Sequence, residues 1–135
     1  MRLYLDTSPL IFVVERVEPQ CAIVVARISQ PDVALVTCEL AWLETRIKPL
    51  KNNDAAQLAD FELFFEGSLA SVLPLDRRTM TKAAELRAAH RFKTPDAIHL
   101  AAAILGRCDI FYTNDHDLKR CPEIAVEIIS VFESE

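Results

Sequence analysis

Short apolar runs alternate with longer stretches of helical periodicity along the whole chain. Leu3, Tyr4 and Leu5 form the first run, and Asp6 closes it. A run of this length bounded by polar residues reads as a buried strand. A helix containing Pro9, Leu10, Ile11, Val13 and Val14 follows at once, and Pro9 suits its first turn. Glu18-Pro19 starts a second helix that carries Ile23, Val24 and Ile28. Residues 33–36 are the second strand, after a turn at Gln30-Pro31-Asp32. Thr37 and Cys38 are expected to open a third helix. Its Leu40, Leu43 and Ile47 recur at i, i+3 and i+7, so that face is expected to point inward, and Pro49 to break the helix. Asp54 can cap a fourth helix with a stripe of Leu58, Phe61 and Phe65, widened by Leu63 and Phe64.

Residues 72–75 read as a third strand, and Pro74 suggests an edge position. Asp76 suits the N-cap of the next helix, through Met80, Ala83, Ala84 and Leu86. Thr94-Pro95-Asp96 has the form of a helix start, with Thr94 at the cap and Pro95 at the first position. That helix continues through Leu105. Residues 109–113 are a fourth strand, followed by Asn114-Asp115-His116-Asp117 and a short helix at Leu118-Lys119. Residues 126–129 are the last strand, and the tail at 132–135 is expected to be loose. Strands alternating with helices predict an α/β fold: a three-layer α/β/α sandwich with a central, mainly parallel sheet and right-handed crossovers. A chain of 135 residues is expected to form one domain, over residues 1–135.

Composition narrows this picture. With 51% apolar residues the chain is globular. A net charge of -5 argues against a protein held to nucleic acid by charge alone. It leaves open acids gathered around a divalent cation. No apolar run approaches ~18 residues, so no membrane span is expected. Asp6 and Glu15 interrupt the amino-terminal apolar stretch, which does not read as a secretory leader. The expected location is the cytoplasm. Cys21, Cys38, Cys108 and Cys121 form no CxxC pair and no zinc spacing with histidine, so reduced, mostly buried thiols are expected. With two glycines the chain has no Gly-rich phosphate loop.

The chemistry lies in the acids. Asp6 and Asp115 follow strands directly, as Asp76 does, and strand ends are where α/β folds present their sites. Asp96 opens a helix that is apolar nearly all round, and His99 lies on the same face. Glu44 falls on the same side of the third helix as Leu40. Each has a structural alternative: a cap for Asp76, Asp96 and Asp115, an ion pair for Glu44, a hydrogen-bonded core position for His99. Asp6, Glu44, Asp96 and Asp115 can nevertheless converge, with no basic residues in the same motifs. Such a cluster repels itself in a partly dry cleft, and Mg²⁺ or Mn²⁺ resolves the repulsion.

At these positions the chain resembles the PIN-domain nucleases, and most of all the VapC-type toxins of toxin–antitoxin pairs. The resemblance rests on LDTS at 5–8, TCELAWLE at 37–44, TPDAIHLAAA at 94–103 and FYTND at 111–115. It covers essentially the whole chain. Cys38 departs from it, since the family often carries Ser or Thr there. The resemblance implies a Mg²⁺- or Mn²⁺-dependent endoribonuclease that hydrolyses single-stranded RNA. It implies Asp6, Glu44, Asp96 and Asp115 as catalytic metal ligands, Thr7 or Ser8 holding a ligand or water, Thr113 and Asn114 supporting them, and Asp117 as a possible extra ligand. It also implies a homodimer inhibited by a cognate antitoxin, with the Phe-rich fourth helix as part of those contacts. Arg46, Lys48, Arg91, Lys93 and Lys119 lie near the motifs and are candidates for phosphate contacts.

Rival classes fit less well. A phosphoacceptor domain needs a lysine after the last strand, and residues 126–132 contain none. A haloacid-dehalogenase-like phosphatase needs a second Asp where Ser8 stands. An inactive PIN-like module that binds RNA or protein remains the alternative.

Overall fold

The computed structural model of the chain describes residues 1–130, so the tail expected to be loose lies outside the described residues. The strands are β1 (Arg2–Leu5), β2 (Ala34–Cys38), β3 (Ser71–Leu73), β4 (Ile110–Thr113) and β5 (Ala125–Ile128). The helices are α1 (Thr7–Val14), α2 (Gln20–Ile28), α3 (Glu39–Lys51), α4 (Ala55–Gly67), α5 (Arg77–His90) and α6 (Thr94–Leu105), with a 3₁₀ helix at His116–Arg120. All five strands are parallel, in the order β3-β2-β1-β4-β5. The α/β fold with a parallel central sheet is as expected, and β3 is at an edge.

Side chains alternate across the pleat and so sort the helices into two layers. Tyr4, Val36 and Phe111 lie side by side in register and pack with Leu86, Leu100 and Ala103 of α5 and α6. Leu3, Leu5, Leu35 and Tyr112 face the other way, toward Val24, Phe12 and Val13 of α1 and α2. Leu10, Ala41, Phe61 and Phe65 join α1, α3 and α4 in a further cluster on that side. β1 is central and buried on both faces, so its carboxyl end opens at the middle of the sheet edge.

Aspartates start several helices. Asp6 accepts from Thr7 N at 2.8 Å, Asp54 from Gln57 N at 3.0 Å, Asp76 from Thr79 N at 2.9 Å and Asp115 from Asp117 N at 3.0 Å. Each satisfies a backbone donor left free by the first helical turn.

Several local expectations are corrected. Thr37 and Cys38 end β2 instead of opening α3, and the Thr37 hydroxyl donates to Leu5 O at 2.8 Å, tying it to the sheet. Pro49 lies inside α3 and is buried there. It sits within the last turn, and α3 ends two residues later at Lys51. The inward face of α3 is Ala41, Thr45 and Pro49; Leu43 and Ile47 are 56% and 50% exposed. Small side chains let α3 approach α1 closely, and the large aliphatics fall on the outside. Lys93, not Thr94, is the cap residue of α6, and the Thr94 hydroxyl accepts from Arg87 Nη1 at 3.0 Å.

Candidate active site

The carboxyl ends of β1 and β4 and the starts of α1 and α6 frame one open cleft of about 850 Å³. Asp6, Glu44, Asp96 and Asp115 all line it, with Thr7, Ser8, His99 and Asn114 between them. Ile11 and Ile47 supply an apolar wall.

Asp6 is buried, and both its oxygens are held. Oδ1 accepts from Thr7 N, and Oδ2 accepts from the Thr113 hydroxyl at 2.7 Å. The same hydroxyl accepts from Asp115 N at 3.1 Å, so Thr113 fixes the spacing of two acids at once. Asn114 N donates to the Ser8 hydroxyl at 3.3 Å, closing the loop after β4 onto α1.

Glu44 reaches the cleft from α3. Its Oε1 accepts from the Thr7 hydroxyl at 2.6 Å and from His99 Nε2 at 2.8 Å. Burial raises the Glu44 carboxyl, but the hydrogen bonds from His99 and Thr7 outweigh it and hold the group below its ordinary value. His99 is buried beneath the cleft, with Nε2 also 3.7 Å from Asp6 Oδ1. Burial opposes charge on the ring, yet hydrogen bonds with Cys38 and Glu44 and the Asp6 charge raise His99 to about 10. The sequence offered a core histidine or a carboxylate orienter, and this ring does both.

Asp96 is different. It is half-buried at the first turn of α6 and accepts no side-chain hydrogen bond among the described residues. Burial, and then the charges of Asp6 and Asp115, raise its carboxyl above the ordinary value. Asp115 is exposed at the mouth of the cleft. The donor set is therefore oxygen only and carries excess negative charge, which suits a hard divalent cation. Among the described residues no three His, Cys, Asp or Glu side chains stand in ready-made coordination, so the acids surround the cleft without a closed shell.

Other candidates fall elsewhere. Asp76 caps α5 outside the cleft. Asp117 is exposed and paired with Arg120, at 2.7 Å from Nε and 3.0 Å from Nη2. Arg46 is paired with Glu62 and lies over Trp42, and Lys48 is paired with Glu15. Arg91, Lys93 and Lys119 form no ion pair among the described residues, and the Lys93 charge acts on Asp96.

One participant escaped the sequence reading. The Tyr4 hydroxyl, buried within β1, meets His99 Nδ1 at 2.7 Å. The available signal was a tyrosine in an otherwise aliphatic strand, since a buried phenol needs a partner.

The PIN domain family matches residues 3–124 of the chain. No curated protein sequence matches it significantly. Solved structures do. The VapBC2 complex of Rickettsia felis bound to a promoter DNA fragment is 15% identical, with a TM-score of 0.78 over 96% of this chain and 100% of that one. A toxin–antitoxin complex from Klebsiella pneumoniae is 21% identical, with a TM-score of 0.70 over 91% of this chain and 95% of that one. The sarcin–ricin loop cleaving toxin VapC20 of Mycobacterium tuberculosis is 15% identical, with a TM-score of 0.74 over 93% of this chain and 98% of that one. At these identities the likeness is one of fold.

Proposed function

The chain belongs to the PIN-domain family, and from that premise we propose that it is a divalent-metal-dependent endoribonuclease acting on single-stranded RNA, the toxin of a toxin–antitoxin pair. The observation that carries this reading is the gathering of Asp6, Glu44, Asp96 and Asp115 around one cleft, with Asp96 accepting no side-chain hydrogen bond among the described residues. These acids would hold Mg²⁺ or Mn²⁺. The chemistry such an ion supplies is a more acidic water and neutralised charge on the phosphodiester.

The chain's own residues prepare the site. Thr113 and Thr7 orient Asp6 by holding one oxygen each. His99 and Thr7 orient Glu44 and favour its ionised form. Asp96 stands at the positive end of α6, which favours its charged form against the repulsion of its neighbours. Lys93, whose charge acts on Asp96, is suited to draw phosphates toward the cleft, and Arg91 and Lys119 are further candidates. Single-stranded RNA can bend its backbone into such a cleft.

A second copy of the chain and a cognate antitoxin are the proposed protein partners, and the Klebsiella pneumoniae structure above is a toxin–antitoxin complex by its own description. On α4, Phe61 and Phe65 are core, which leaves Leu63 exposed at 66%. The larger apolar surface is Leu43, Ile47 and Leu50 on α3, beside the cleft. Among the described residues no helix is long and apolar enough to cross a membrane.

The test is cleavage of labelled single-stranded RNA. Wild-type protein should cut it with Mg²⁺ or Mn²⁺ and stop in EDTA; undiminished cutting in EDTA rejects the metal. The second reading, a PIN-like binding module without chemistry, draws on the lack of a closed coordination shell among the described residues. RNA binding without cleavage in any divalent metal would favour it.

A further inference from the structure

Glu44 and His99 form a small problem in proton accounting. An ionised carboxylate can only accept, so His99 Nε2 must carry the proton it shares with Glu44 Oε1 at 2.8 Å. The Thr7 hydroxyl spends its proton on the same oxygen, and therefore accepts when it faces Nε2 at 3.2 Å. Oε1 is thus fully engaged, while Oε2 accepts no hydrogen bond among the described residues. On the far side of the ring, Nδ1 meets the Tyr4 hydroxyl at 2.7 Å. It accepts when the ring is neutral and donates when the ring is charged, so the contact survives either state. Tyr4 itself cannot swing: its ring is fully buried and stacks on Phe111 at 5.1 Å and 10°. Residues 95 positions apart are thereby locked edge to edge beneath the cleft.

We propose that His99, seated by Tyr4, is the positioning residue of the cleft: it anchors Glu44 through Oε1 and so presents Oε2 to the bound cation. The inference rests on the metal-nuclease reading above. It extends that reading by making Glu44's contribution depend on a ring whose two nitrogens are taken up by Glu44 and Tyr4. Outer partners of this kind orient a ligand through its second oxygen or nitrogen.

The test combines Mn²⁺ calorimetry with single-turnover RNA cleavage. His99→Leu should lower Mn²⁺ affinity and the cleavage rate by roughly 10–100-fold, the usual range for removing such a partner. The half-saturating RNA concentration should stay unchanged. His99→Gln places an amide donor near the Nε2 position and should recover most of both losses. Tyr4→Phe removes one hydroxyl and keeps the stack on Phe111, so it carries the test if His99→Leu does not fold. It should give a smaller loss, and that loss should disappear in the His99→Leu background, since the proposal routes Tyr4's effect through His99. A purely structural role would lower the melting temperature of all variants with Mn²⁺ affinity intact and no rescue by Gln; that result overturns the inference. If wild type binds Mn²⁺ and cleaves RNA while Tyr4→Phe and His99→Leu match it, the inference fails alone. If wild type does neither, the nuclease reading fails and takes the inference with it.

Discussion

The two halves of the cleft are built on opposite terms. On one side, every oxygen of Asp6 and one of Glu44 are engaged by donors from Thr7, Thr113 and His99. On the other, Asp96 has no such donor among the described residues, and burial and its neighbours' charges push its carboxyl up. The first half is organised by the protein itself. The second carries repulsion between carboxylates that a cation would relieve. On the proposed function, a site of this design would keep one half fixed and leave the other to respond to the cation.

The largest expected effect comes from the fixed half. Asp6→Asn should keep the fold and lower RNA cleavage by roughly 100-fold or more, because it removes the central charge with which the cation would pair. Cleavage near the wild-type rate would remove Asp6 from the site. Asp96→Asn should also abolish most cleavage, but it should raise the melting temperature of metal-free protein by relieving repulsion. A lower melting temperature would mean that Asp96 stabilises the apo fold and that the contrast between the halves is wrong.

Linkage gives the halves opposite signs with pH. The Asp96 carboxyl is raised in the fold, so its relative stabilisation is present at acid pH and lost as pH rises through the folded value. The Glu44 carboxyl is lowered, so its stabilisation is present above the ordinary value of 4.5 and lost as pH falls through the folded value. Thermal melts of metal-free protein should therefore show the Asp96→Asn gain at neutral pH and its disappearance at acid pH. The Glu44→Gln loss should likewise be present at neutral pH and fade on acidification. Parallel curves for the two variants would contradict the division.

The smallest effect should be at Asp117. Its carboxylate is exposed and held by Arg120, which keeps it below the ordinary range. Asp117→Asn should change cleavage by about 2-fold or less, as expected of an exposed pair at the rim. A loss approaching that of Asp6→Asn would bring Asp117 into the cleft in the metal-loaded protein.

Much of this molecule could be read from its residues. The strand-then-acid pattern at Asp6 and Asp115, and the helix start around Asp96, placed three acids at one sheet edge because a parallel α/β order leaves them little choice. The inner face of α3 could not be read. Leu40, Leu43 and Ile47 look like a core stripe, but close packing against α1 selects the small Ala41 and Thr45 instead. Glu44 reaches the cleft because its hydrogen bonds to Thr7 and His99 carry it there. The Tyr4–His99 contact was equally invisible, since it joins distant segments and depends on the register of β1 beside α6. Strand order, with β1 between β2 and β4, was likewise a tertiary outcome.

The central claim is that these acids make one cation site. Calorimetric titration of Mn²⁺ into wild-type, Asp6→Asn and Asp96→Asn protein tests it most directly. The account predicts saturable binding by wild type and at least a roughly tenfold weaker affinity in each variant. Equal affinities in all of them, or no binding by wild type, would contradict it.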